Sequence, residues 1–213
     1  MGIKSLKRPF DSEVSMMVAK RCLAGFIGFF IGFGTFGYAS EKSFRNANTK
    51  KGDVTMTLTI TSPTFSHNNE IPMRYTCDGE DVSPALEWSG LPEGTKSVVL
   101  IVDDPDAPDP AAPRMTWVHW VLYNIPPGAP GLPEGMRPKD LPEGTKEGLN
   151  DWKRTGYGGP CPPIGRHRYF HKLYALDVVL PDLGRPTKGK VEKAMEGHIL
   201  SKAELVGTYQ RSR

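Results

Sequence analysis

Glycine and proline supply 23 and 20 of the 213 residues, about a fifth of the chain. So many residues that bend or interrupt regular backbone rule out a helical bundle or a coiled coil. Collagen is ruled out too, since no Gly-X-Y period is present. Hydrophobic residues still reach 38% against 24% charged, enough to build a packed core. A loop-rich, mainly β domain satisfies both facts, and the length fits one domain.

The apolar patterning places the elements. Val54–Ile60 alternates threonine with apolar side chains, the period of a half-buried strand. Ser97–Val102 (SVVLIV) is a continuous apolar run between turn signals and predicts a strand buried on both faces. Met115–Ile125 and Tyr169–Leu180 are long, aromatic and β-branched, and read as further strands. One helix is expected near Lys190–Leu200, where Val191, Ala194, Met195, His198 and Ile199 recur at helical spacing. Ala203–Gln210 closes the chain as a strand. LPEGTK occurs at 91–96 and 141–146, and LPEG again at 132–135. Their flanks do not match, so the motif reads as a reused turn and not as a duplication. The residues therefore predict a mainly β fold with one or two helices.

The N-terminus reads as an address. Lys20 and Arg21 precede the uncharged run from Leu23 to Tyr38, and Gly37 and Ala39 sit at the −3 and −1 positions of a cleavage after Ala39. A basic start, a short apolar run and a small-residue exit describe an export signal over 1–39. Met16 or Met17 is its expected start. Export implies a periplasmic or secreted protein. The alternative is a membrane anchor retained over 23–38, but that run falls short of the roughly 20 residues a spanning helix needs. Residues 40–53 form a polar lead-in, and the domain is expected over 54–213.

The net charge of +3 belongs to this segment, which holds five basic and two acidic residues. The remaining chain has 22 of each and is neutral, which argues against nucleic acid or an acidic membrane surface as partner. Cys22 leaves with the signal. Cys77 and Cys161 remain as an even pair, and both a disulfide and two independent thiols stay open.

Three segments carry polar residues suited to chemistry. In Asp103-Asp104-Pro105-Asp106-Ala107-Pro108 the prolines hold the backbone extended, so Asp104 and Asp106 are expected on one side. A calcium loop is not indicated, because its glycine and distal glutamate are missing. In Trp117–Asn124 a strand places Trp117, His119, Val121 and Tyr123 on one face. In Gly156–Tyr169 glycines and prolines build a rigid loop, after which His167, Tyr169 and His171 share a face. Imidazoles, a phenol and backbone N–H groups suit an oxyanion such as phosphate, and Asp104 could orient or charge a histidine.

The order TCDGEDVSPALEWSG, DDPDAP, TWVHWVLYNIP and GYGGPCPPIGRHRYFHKLYALD resembles the phosphatidylethanolamine-binding protein family, most closely its bacterial Raf kinase inhibitor-like branch. The resemblance runs from about Val54 to Gln210. It implies a β-sandwich-like domain with a large antiparallel sheet and one or two peripheral helices. It also implies a surface cavity for phosphate-like anions and phosphorylated head groups. Carried over by motif, its walls are Asp104, Asp106, Pro108, Trp117, His119, Gly159, Pro160, His167 and Tyr169. Cys161 stands where many eukaryotic members have a second proline, and Asp78 and Asp81 are expected near the rim. Kinase inhibition does not transfer to an exported relative.

The expected function is a non-enzymatic binding domain that takes a small anionic or phosphorylated ligand and modulates a partner protein, with a homodimer as a further expectation. It calls for no cofactor and no metal. A hydrolase using His and Asp is the alternative, although no nucleophile elbow, P-loop or HExxH motif is present. Protease inhibition through the Pro-rich 105–113 or 126–142 loops is a third reading.

Overall fold

A computed structural model describes residues 57–212, so the export signal expected over 1–39 and the lead-in expected over 40–53 lie outside the described residues. In chain order these residues form β1 (Thr59–Thr61), β2 (Leu86–Ser89), β3 (Ser97–Asp104), β4 (Trp117–Ile125), β5 (Gly131–Leu132) and β6 (Lys146–Glu147). β7 (His167–Leu176), α1 (Lys188–Met195) and β8 (Ile199–Tyr209) follow. The strands pair into a three-stranded sheet, β1-β2-β5, and a five-stranded one, β6-β4-β3-β7-β8, antiparallel throughout.

β3 explains the layering. All eight of its residues are buried, because β4 and β7 flank it and both sheet faces are covered. Val98, Leu100 and Val102 pack with Leu86, Trp88 and Leu132 of the small sheet. Val99 and Ile101 point the other way, into a second core closed by Leu180 and by Val191 and Met195 of α1. Each such side chain contributes on the order of 1.5–3 kcal/mol by leaving water. The result is a sandwich-like domain whose largest sheet carries a helix on its outer face.

Several boundaries differ from those the sequence suggests. β1 is only Thr59–Thr61, and Val54–Met56 lie outside the described residues. β7 starts two residues earlier than expected and stops at Leu176. The helix ends at Met195, not Leu200. Gly197 takes φ +79°, a conformation that ends helices readily, and Ile199 then pairs with Leu176 as the start of β8. The repeated LPEGTK motif is a turn both times, with Thr95 N–H donating to Pro92 O at 3.3 Å and Thr145 N–H to Pro142 O at 3.0 Å.

One irregularity matters for the site. Val102 pairs with Trp120 but Asp103 pairs with Val118, so His119 is an extra residue in β4. Such a bulge breaks the period of two. Val121 and Tyr123 consequently join Val118 in the helix-side core, while His119 turns toward Tyr169 in the core between the sheets. The common face expected for Trp117, His119, Val121 and Tyr123 is therefore split.

Candidate functional site

Antiparallel pairing sets the C-terminal end of β3 beside the N-terminal ends of both β4 and β7. Asp104 thus faces Trp117, and Asp103 faces Phe170. The loops leaving these ends enclose a pocket of about 290 Å³. Asp104, Pro108, Trp117, His119 and His167 line it, joined by Ala107, Met115, Trp152, Cys161, Pro162 and Pro163. Wider grooves of about 480 and 530 Å³ run beside β1 and between β2 and β5, but neither contains these residues.

His167 is held at both nitrogens. Nδ1 lies 2.7 Å from Asp104 Oδ2 and Nε2 lies 2.9 Å from the Ile164 carbonyl. Both partners are acceptors, and only an imidazolium supplies two N–H donors. His167 and Asp104 are almost fully buried, at 0% and 5% side-chain exposure, so their charges meet in a dry environment.

His119 is arranged differently. Its Nδ1 lies 2.7 Å from the Gly158 carbonyl, and Gly158 N–H donates back to the His119 carbonyl at 3.1 Å. The carbonyl fixes the proton on Nδ1, leaving Nε2 as an acceptor in the neutral ring. That Nε2 is buried and has no partner among the described residues. Burial pushes the imidazole below its ordinary pKa, outweighing the Gly158 bond and the Asp104, Asp103 and Asp81 charges that raise it. Tyr169 packs edge-on to His119 at 5.2 Å and stacks near His167 at 6.5 Å. Its hydroxyl is likewise unpartnered, and burial raises its pKa far enough to keep it an O–H donor.

Other expected residues support the pocket without lining it. The backbone turns after Asp104, so the two carboxylates part ways. Asp106 accepts from Arg168 Nε and Nη2 at 2.9 and 2.7 Å, and from the Arg168 backbone N–H at 2.9 Å. The Arg168 guanidinium holds that carboxyl below the usual range. Pro160 O accepts from Cys77 N–H at 3.1 Å. Gly159 N–H donates to Asp81 Oδ1 at 2.6 Å, bringing the CDGED segment against the loop. A Cβ on Gly159 would stand 2.5 Å from Tyr75 O and 2.8 Å from Thr76 Cα. Gly159→Ala is therefore expected to cost about 1–3 kcal/mol in chemical denaturation. Unchanged stability would refute the close approach of Gly159 to the Tyr75–Thr76 backbone. His171 shares the face of Tyr169 but packs on Phe65, away from the pocket.

Trp152 is the main residue the motifs did not reveal. Asp151 N–H donates to Val118 O at 3.0 Å, while its carboxylate accepts from Val118 N–H at 2.8 Å. This clamp sets Trp152 edge-on to Trp117 at 5.4 Å and to His119 at 5.2 Å. A lone tryptophan in a polar loop (NDWKR) offers no spacing from which that placement could be read. Cys161 is bonded to Cys77, with Cα atoms 5.4 Å apart. Among the described residues, no group of three His, Cys, Asp or Glu side chains is placed to hold a metal ion.

Apolar walls around a few fixed polar groups, set in a two-sheet β domain, define the build of a small-ligand-binding protein. Residues 61–210 match the family model for phosphatidylethanolamine-binding protein, and the chain belongs to that family. It is 48% identical over 155 residues to a UPF0098 protein of Methanothermobacter thermautotrophicus, covering 72% of this chain and 99% of that one. Among solved structures, the phosphatidylethanolamine-binding protein homolog from Chlamydia trachomatis superposes with a TM-score of 0.68 at 42% identity, covering 74% and 99% of the two chains. YbcL of E. coli, described as a member of the mammalian family, gives 0.66 at 31% identity, covering 73% and 99%.

Proposed function

We propose that this domain is a non-enzymatic binding module that receives a small phosphate-like anion and, when occupied, modulates a partner protein. The observation that carries the reading is His119 Nε2, buried and unpartnered in a ring that lines the pocket. An isolated polar atom costs about 1–3 kcal/mol when buried, so a ligand that engages it gains that much. The Trp117 indole N–H, also unpartnered and on a residue that lines the pocket, is a further donor. The geometry favours binding over hydrolysis: His167 has both nitrogens occupied, and Cys161 is tied up in a disulfide. That disulfide also accords with an exported protein.

Calorimetry with phosphorylethanolamine tests the reading. His119→Ala is expected to weaken binding at least about tenfold, equivalent to one hydrogen bond to a charged group. Affinity should fall as pH rises, because burial keeps the ring neutral and contact between Nε2 and the anion then needs a proton taken from solvent, on the ring or on the ligand. Equal affinity in the wild type and in His119→Ala would overturn the assignment.

A further inference from the structure

Nε2 of His119 awaits a donor, and an ionised oxyanion has none. Neutral His119 spends its N–H on Gly158 O and presents Nε2 as an acceptor. His167 spends both nitrogens on Asp104 and Ile164 O. Asp104 adds a carboxylate to the lining, and none of the lining residues is Lys or Arg. The groups facing His119 are Asp104 with Asp103 from β3, Tyr169 and His171 from β7, and Asp81 and Trp152 from the loops. The three carboxylates favour a protonated ring and burial opposes it more strongly. A fully ionised anion would therefore meet an acceptor at Nε2, beside an Asp104–His167 pair with no N–H to spare, unless a proton entered with it.

Resting on the anion-binding reading above, we propose that the pocket selects the proton-bearing form of a tetrahedral oxyanion, a phosphate monoester over a phosphodiester or sulfate. A monoester has a second pKa of about 6, so at pH 8 it is chiefly a dianion. Binding then consumes one proton from solvent: dianion plus proton becomes bound monoanion, whose P–OH donates to Nε2. No other bond forms or breaks. Trp117 N–H, on a lining residue, remains to donate to an unprotonated oxygen. A phosphodiester or sulfate carries no proton in this range, so it must instead charge the buried His119 ring. Burial opposes that charge.

The test is calorimetry on the full chain at pH 8, in two buffers of low and high ionisation heat. Phosphorylethanolamine should bind with uptake of about one proton. Glycerophosphorylethanolamine and sulfate should bind at least about tenfold more weakly, because neither carries an O–H that can satisfy the buried Nε2. His119→Gln replaces the acceptor with an amide that can donate, and should abolish both the proton uptake and the preference over sulfate. Monoester binding without proton uptake, or sulfate binding as tightly, would overturn the selection while leaving the anion site standing. Absence of heat with all three ligands would overturn both.

Discussion

Replacing Cys77 and Cys161 together by serine is expected to lower the unfolding free energy by about 4 kcal/mol. The bridge spans 84 residues of sequence. Closing a loop of that size removes chain entropy from the unfolded state worth about 4–5 kcal/mol in the loop-closure account. Total stability is typically 5–15 kcal/mol, so the loss is a large share. For a domain of this size the midpoint should drop by roughly 10–15 °C. The folded contacts around the bridge need not vanish with it, since Cys77 N–H still has Pro160 O and Gly159 N–H still has Asp81. Thermal unfolding of the wild type, of the wild type in reductant and of the double variant should give matching losses in the last two. A change below about 1 kcal/mol in both would show that the bridge constrains little.

His171 is expected to make the fold acid-labile. It is 1% exposed on β7, between Val102 of β3 and Leu205 of β8, with its ring 5.5 Å from Phe65. Neither nitrogen has a well-placed partner among the described residues, although the backbone at Leu205 and Tyr169 lies near. Burial pushes its pKa from 6.5 down to about 4. Between those values the unfolded chain binds the proton and the folded chain does not. Stability therefore falls as pH drops from 7 toward 4, by roughly 3 kcal/mol for this group alone. His119, lowered in the same direction, adds to the loss. The carboxylates held low, among them Asp78, Asp106 and Asp182, lose their contribution only below their ordinary 3.8. Urea denaturation at pH 7, 6, 5 and 4 samples the histidine window alone, and a further point at pH 3 enters the carboxylate one. His171→Phe should flatten the upper one by roughly 3 kcal/mol, and a variant whose profile parallels the wild type would refute the assignment.

These two predictions depend on the sequence to different degrees. The cysteine pair was legible as an even count, but its bonding was not, because the 5.4 Å Cα separation arises only when the 156–166 loop folds over the CDGED segment. His171 was placed correctly on the face of Tyr169, since period two holds along an unbroken β7. The same rule failed on β4, where the bulge at His119 changes sides in mid-strand. The prolines make Asp104 and Asp106 look like companions on an extended segment. The chain turns after Asp104, and the two carboxylates pair with neighbouring residues of β7, His167 and Arg168.

The sequence by itself determined the mainly β class, the doubly buried β3, the repeated turns and, by resemblance, the family. Those properties are written in local periodicity and in motifs that lie together along the chain. The pocket was decided by tertiary structure. Asp104, His119 and His167 span 63 residues of sequence, and only the antiparallel order β4-β3-β7 brings their strand ends to one place. Tertiary packing also decided which histidine is free: one ring has both nitrogens occupied, while the other keeps Nε2 unpartnered. Hydrogen-bond partners across strands have no fixed spacing in sequence, which is why the residue types were visible but their protonation roles were not.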